Sequence, residues 1–191
     1  MTSAGWSATA VPLPGLAVPA RVPGHGDGDL ELVAAYLLAE DPRGRRLAAA
    51  LRRTIDMLLD GQHTGRYRWE ELHKTEKTHA GTLVEINLQR EFGFTDGERL
   101  DYRICGSDVD CKFSQTMGGW MIPPEAEGGL CLLLWASDDK GEWSAGLIRV
   151  SPAYLRDAAN RDRKRSLSPA GNAAIWWLFR DAALPENVLL R

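Results

Sequence analysis

The nine residues 129–137, GLCLLLWAS, constrain the fold more than any other stretch of the chain. A strand with one wet face alternates apolar and polar residues. A near-continuous apolar run of this length is a strand covered on both faces. The chain therefore needs a sheet with a layer of structure on either side. Its 191 residues, 44% apolar with seven Trp, can fill one such domain.

The period of the apolar residues says what those layers are. Leu47, Leu51, Ile55 and Leu58 or Leu59 recur at steps of three and four, which predicts an amphipathic helix over 42–60. Asp41 is its N-cap, Pro42 its first helical residue and Gly61 its end. LELVAAYLLAE, 30–40, reads as a shorter helix. Val84, Leu88 and Phe92 predict another over 80–92, stopped by Gly93, although TLVEINL also has strand character. From residue 100 the period falls to two. Leu100, Tyr102 and Ile104 share one face, "CGSD" turns the chain, and Val109, Cys111 and Phe113 return to the core. Asp110, Lys112 and Ser114 face away. "DDKG" turns the apolar run into a further strand, EWSAGLIRVS. Ser151-Pro152 opens a helix, and NAAIWWLFRDAAL reads as a last one, with Trp176, Trp177 and Phe179 either in the core or on a dimer surface. The order gives a mixed α+β (α/β) domain around one sheet. Residues 1–29, rich in Gly, Pro and Ala, read as a flexible leader, and 30–191 as the domain.

Composition narrows the class. A net charge of −3 gives no global pull toward nucleic acid or membrane. Three cysteines without CxxC spacing make neither a disulfide framework nor a zinc site, and place the chain in a reducing cytoplasm. Cys105 and Cys111 read as small buried strand residues. No run approaches a membrane span of about 18–20 residues. His63, His73 and His79 lack ligand spacing and read as ordinary polar residues.

The hairpin 100–114 holds the chemistry. With Ile104 opposite Val109, Asp101 faces Lys112 and Arg103 faces Asp110. Such cross-strand pairs on a wet face contribute roughly 0.2–1 kcal/mol each. The same register also gathers two carboxylates and an ammonium at one place. Hard cations such as Mg²⁺ prefer carboxylate oxygen, and an adjacent lysine stabilises charge developing on a phosphate. Asp108 reads as a turn residue. The run Arg161, Arg163, Lys164 and Arg165 is either a wet loop or a set of DNA phosphate contacts.

A resemblance decides between these readings. TGRYRWEELHKTEKTHAGTLVEINLQREF followed by LDYRICGSDVDCKFS, with GGWMIPPEA and AAIWWLF further on, resembles the nuclease domain of the NaeI restriction endonuclease family over roughly residues 40–185. The resemblance implies a PD-(D/E)xK core, a mixed sheet flanked by helices. It implies Glu85, Asp101, Asp110 and Lys112 as the catalytic set, the three carboxylates holding Mg²⁺. It also implies cleavage of double-stranded DNA in restriction or phage defence. Fuller members carry a second, C-terminal DNA-binding domain, and the expectation is that this chain has only the nuclease part. Three readings follow: a homodimer cutting both strands, a strand-nicking enzyme working with a DNA methyltransferase or ATPase partner, or an inactive DNA-binding subunit.

Overall fold

The structure, a computed structural model, describes residues 26–187. Helices α1 (Gly28–Glu40) and α2 (Arg45–Leu59), the single turn α3 (Gly61–Thr64) and the long α4 (Lys74–Phe92) come first. Strands β1 (Thr95–Asp96), β2 (Tyr102–Ile104), β3 (Ser107–Ser114), β4 (Met121–Ile122), β5 (Leu130–Ser137), β6 (Glu142–Arg149), β7 (Leu155–Ala159) and β8 (Arg165–Leu167) follow. The short α5 (Pro169–Ala173) and β9 (Trp176–Ala183) complete the set.

The main sheet runs β1-β2-β3-β5-β6-β9. Its neighbours are antiparallel except β3 and β5, which are parallel. The run 129–137 explains this arrangement. Leu130, Leu132, Leu134 and Ala136 point into a core closed by α1, α2 and α4. Cys131, Leu133 and Trp135 point into a second core with Trp120, Ile122, Leu155 and Leu167. That second layer is a small sheet, β4-β8-β7. The strand expected to be covered on both faces is buried from Leu130 to Ala136, and the mixed sheet flanked by helices is the architecture expected of a restriction-endonuclease-like fold.

Helix α4 positions the site and is fixed at three levels. Val84, Leu88 and Phe92 are buried, as their spacing requires. Asn87 is buried beside them and donates to the Thr54 hydroxyl of α2 at 2.8 Å. At the N-terminus Glu76 accepts the His73 N–H at 2.8 Å and both guanidinium nitrogens of Arg66 at 2.7 and 2.9 Å. These bonds start the helix at Lys74, six residues before the start predicted from Val84, Leu88 and Phe92.

Four other expectations are corrected. NAAIWWLFRDAAL is not a helix: Trp176–Ala183 is an edge strand pairing with β6. Bulges between Trp143 and Gly146 break its alternation, so no period of two shows in the sequence. Phe179 is fully buried against Trp143, which removes it from any dimer surface. After Ser151-Pro152 only one 3-10 turn forms before β7, because Leu155 must pair with Leu167. Helix α2 begins at Arg45, after Gly44 rather than Pro42. Gly44 has φ of +67° and leaves 2.7 Å between its would-be Cβ and Trp143. Asp41 still caps the helix, accepting the Leu47 N–H at 2.9 Å. Cys105 is exposed in a turn at φ +49°, not buried in a strand. The expected leader lies outside the described residues as far as residue 25. Asp27 caps α1 and holds Arg149 through two bonds of 2.8 Å.

The Arg66 bonds, with the His73 N–H, lower the Glu76 carboxyl from 4.5 to about 2. A carboxylate depressed in the folded state stabilises fully above its unfolded value and loses that effect as pH falls toward the folded one. Glu76→Gln should lower Tm at pH 7, and the gap to the parent should shrink between pH 5 and pH 2. Thermal unfolding across that range measures it.

Candidate active site

Strands β2 and β3 are joined by Cys105-Gly106, both in the left-handed region at φ +49° and +82°. This two-residue turn sets Ile104 opposite Ser107 and Tyr102 opposite Val109. The pairing predicted from the sequence, Ile104 with Val109, is therefore displaced by two residues. Arg103 pairs with Asp108 at 3.1 Å, so Asp108 is a strand residue in the cross-strand ion pair assigned above to Asp110. Asp108 also accepts the N–H groups of Glu98 and Arg99, at 3.2 and 2.9 Å, tying down the loop before β2.

The shift frees Asp110 for a different environment. It is 3% exposed, and its neighbour across the parallel pairing is Cys131. The polar side of β3 is thus not a solvated face, because the second layer covers it. Lys112 donates to Asp110 Oδ1 at 2.7 Å and lies 3.8 Å from Asp101 Oδ2. Asp101 is held by the Cys111 N–H at 2.7 Å. From behind, Cys131 Sγ donates to Asp110 Oδ2 at 3.5 Å; burial keeps this thiol protonated. Two carboxylates thus converge on one ammonium.

Glu85 reaches this group from α4. The Tyr102 hydroxyl, which burial keeps protonated, donates to the Glu85 backbone carbonyl at 2.7 Å and joins helix to strand at that turn. Burial raises the Glu85 carboxyl above its ordinary value, with the Asp101 charge next in effect and Asp110 adding to it. Burial likewise raises Asp110 against the pull of Lys112. Burial alone would lower Lys112, but the adjacent Asp110 carboxylate outweighs it and holds the ammonium above its ordinary value. Three carboxyl groups share one cation, so the site is short of positive charge.

Of the basic run, Arg161 and Arg163 are exposed at the tip of the β7–β8 hairpin. Arg165 lies 3.5 Å from Glu127 and 3.9 Å from Asp157, and donates to the Arg156 carbonyl. Lys164 instead enters a cleft beside Lys112. Sequence reasoning missed Tyr102 and Cys131 as supports of the site. Nothing in a single chain reveals the parallel register that sets Cys131 beside Asp110.

An Asp-x-Lys on a central strand with its aspartate buried, an aspartate just before the preceding strand and a glutamate on the flanking helix gather at one place on a restriction-endonuclease-like fold. The model of the family "Restriction endonuclease NaeI" matches residues 31–191, and the chain belongs to that family. It is 56% identical over 165 residues to the type II restriction enzyme NaeI of Lentzea aerocolonigenes, an alignment covering 86% of this chain. The chain spans about half the length of that relative, 52% of which is aligned.

Truncating Lys112 leaves a buried carboxylate without its cation. Lys112→Met should cost about 3 kcal/mol at pH 8. The deficit should be smaller at an acid pH, because burial raises Asp110 and a protonated Asp110 no longer needs the ammonium. The double variant Asp110→Asn/Lys112→Met should cost less than Lys112→Met alone. Urea unfolding at both pH values measures the three.

Proposed function

We propose that the chain is the nuclease domain, residues 30–191, of a Mg²⁺-dependent DNA endonuclease. It hydrolyses phosphodiester bonds of double-stranded DNA, in restriction of foreign DNA such as phage. The observation that carries this reading is the convergence of Asp101 and Asp110 on Lys112, with Glu85 held in the same field by Tyr102. Membership of the NaeI restriction endonuclease family supports it.

The residues fit a hard divalent cation. Among the described residues no group of three His, Cys, Asp or Glu side chains is preset to hold a metal ion. Mg²⁺ does not need one: it is commonly bound by one or two carboxylates plus waters and substrate phosphate. Asp101 and Asp110 supply such a pair, and the shortage of positive charge around Glu85 favours a cation there. When bound, the ion would polarise the phosphoryl oxygen and lower the pKa of a water.

The protein's own groups do the rest. Lys112, kept protonated by Asp110, places a fixed positive charge where the phosphate gains negative charge. The Cys111 N–H and the Cys131 thiol hold the two aspartates in place before substrate arrives. No described helix is long and apolar enough to cross a membrane.

Supercoiled plasmid incubated with the protein and Mg²⁺ should be converted to nicked or linear form. Asp101→Asn and Asp110→Asn should each slow this by about 10³-fold or more. Linear product from a dimer would fit restriction; nicked circles would fit a strand-nicking enzyme with a partner. No cleavage with Mg²⁺ or Mn²⁺ would sink the reading.

Metal binding has a signature of its own. Mg²⁺ should raise Tm of the parent and not of Asp101→Asn. Binding requires ionised carboxylates. Burial and the Asp101 charge raise Glu85, so the Mg²⁺-induced rise in Tm should fade on acidification at a pH above 4.5, the ordinary glutamate value. A thermal-shift titration from pH 8 to pH 4 tests it.

A further inference from the structure

Helix α4 carries Lys77, Gly81 and Glu85 at i, i+4 and i+8, so the three share one stripe. The first two line a cleft of about 500 Å³ that opens beside Lys112 and continues along the end of β3. Its wall opposite α4 includes Gln115 and Lys164, and Trp69 stands at the helix end. Three lysines and no carboxylate line it, in a chain with net charge −3. The Lys164 ammonium has no hydrogen bond or ion pair among the described residues, and Gln115 Nε2 is buried without a partner. Lys164 thus brings an uncommitted cation to this cleft, and Lys77 Nζ is held there only by the Glu70 carbonyl at 3.3 Å.

Gly81 is the residue the fold does not account for. It lies inside a 19-residue helix, in ordinary helical backbone rather than the left-handed region. A Cβ built there would meet nothing within 4 Å. Glycine is the poorest helix former after proline, so at an open interior position alanine would serve the helix better. Neither backbone conformation nor packing within the chain calls for glycine here. A ligand passing close to the helix would.

We propose that the DNA strand bound for cleavage crosses α4 at Gly81, where the missing side chain lets its sugar–phosphate backbone approach the helix, with Lys77 and Lys164 binding phosphates on either side. This rests on the nuclease reading and adds the path of the strand: from Glu85 and Lys112 along the cleft toward the N-terminus of α4. Lys77 and Lys164 would each neutralise one phosphate.

The test separates a ligand's requirement from the fold's. Gly81→Ala should unfold at the same temperature as the parent or higher, by about 2–4 °C for a domain of this size. Its affinity for a mixed-sequence duplex oligonucleotide, read by fluorescence anisotropy without divalent metal, should fall about tenfold. Gly81→Gln, with a longer side chain and good helix propensity, should bind more weakly still. Lys77→Gln/Lys164→Gln should flatten the slope of log K against log salt by about 1.8, from two lost contacts at about 0.9 each. Parental affinity in Gly81→Ala and Gly81→Gln overturns the proposal. So does a lowered Tm in Gly81→Ala, which would make the glycine structural. If the parent protein cuts plasmid while the glycine variants bind normally, the path fails and the nuclease reading stands. A parent that neither binds duplex nor cuts plasmid removes both.

Discussion

Strand β5 is closed to water on both faces, and that closure governs its neighbour. Because β3 runs parallel to it with Asp110 beside Cys131, an ionisable side chain is carried into a layer with almost no solvent. A carboxylate in such a place must find protein partners. It finds the Lys112 ammonium in front and the Cys131 thiol behind. The same closure keeps Lys112 from swinging into solvent, since its side chain is 22% exposed. An exposed Asp-x-Lys would be two mobile charges. This one is a fixed dipole at the edge of a cleft.

Helix α4 supplies the other side of the site, and its placement depends on polar contacts more than on its apolar stripe. Val84 and Leu88 set the depth of the helix against the sheet. Asn87 fixes it to α2, Tyr102 to β2, and Glu76 with Arg66 fixes its first turn. Three bonds at different heights hold both the axial position and the rotation of a helix. Rotation matters here, because a stripe of every fourth residue faces the cleft.

The sequence shows the layers clearly. The double-faced strand, the 3.6-residue stripes and the alternation after residue 100 are all local patterns, and the architecture follows from them. The four residues of the candidate site were legible through the family resemblance, and the structure brings Asp101, Asp110 and Lys112 together with Glu85 beside them. Their environment was not legible. The hairpin register turned on reading "CGSD" as the turn, whereas Cys105-Gly106 alone makes it. Such turns favour Asn or Asp before Gly, so cysteine gave no signal. β9 was hidden because its two bulges erase the period of two, and Trp-Trp-Leu-Phe suits a buried helix as well as a strand. Lys77 was overlooked because the apolar stripe starts at Val84, while the helix is started by hydrogen bonds further back.

The parallel pairing of β3 with β5 also orders events in time. The β2–β3 hairpin closes over two residues and β5–β6 over a short turn, so both can form as soon as they leave the ribosome. β3 cannot meet β5 until residues 115–129 have crossed over, and the covering layer waits for β8. A half-made chain therefore holds Asp101, Asp110 and Lys112 as ordinary solvated side chains. The altered acidities of Asp110 and Lys112 arrive only at the end of folding.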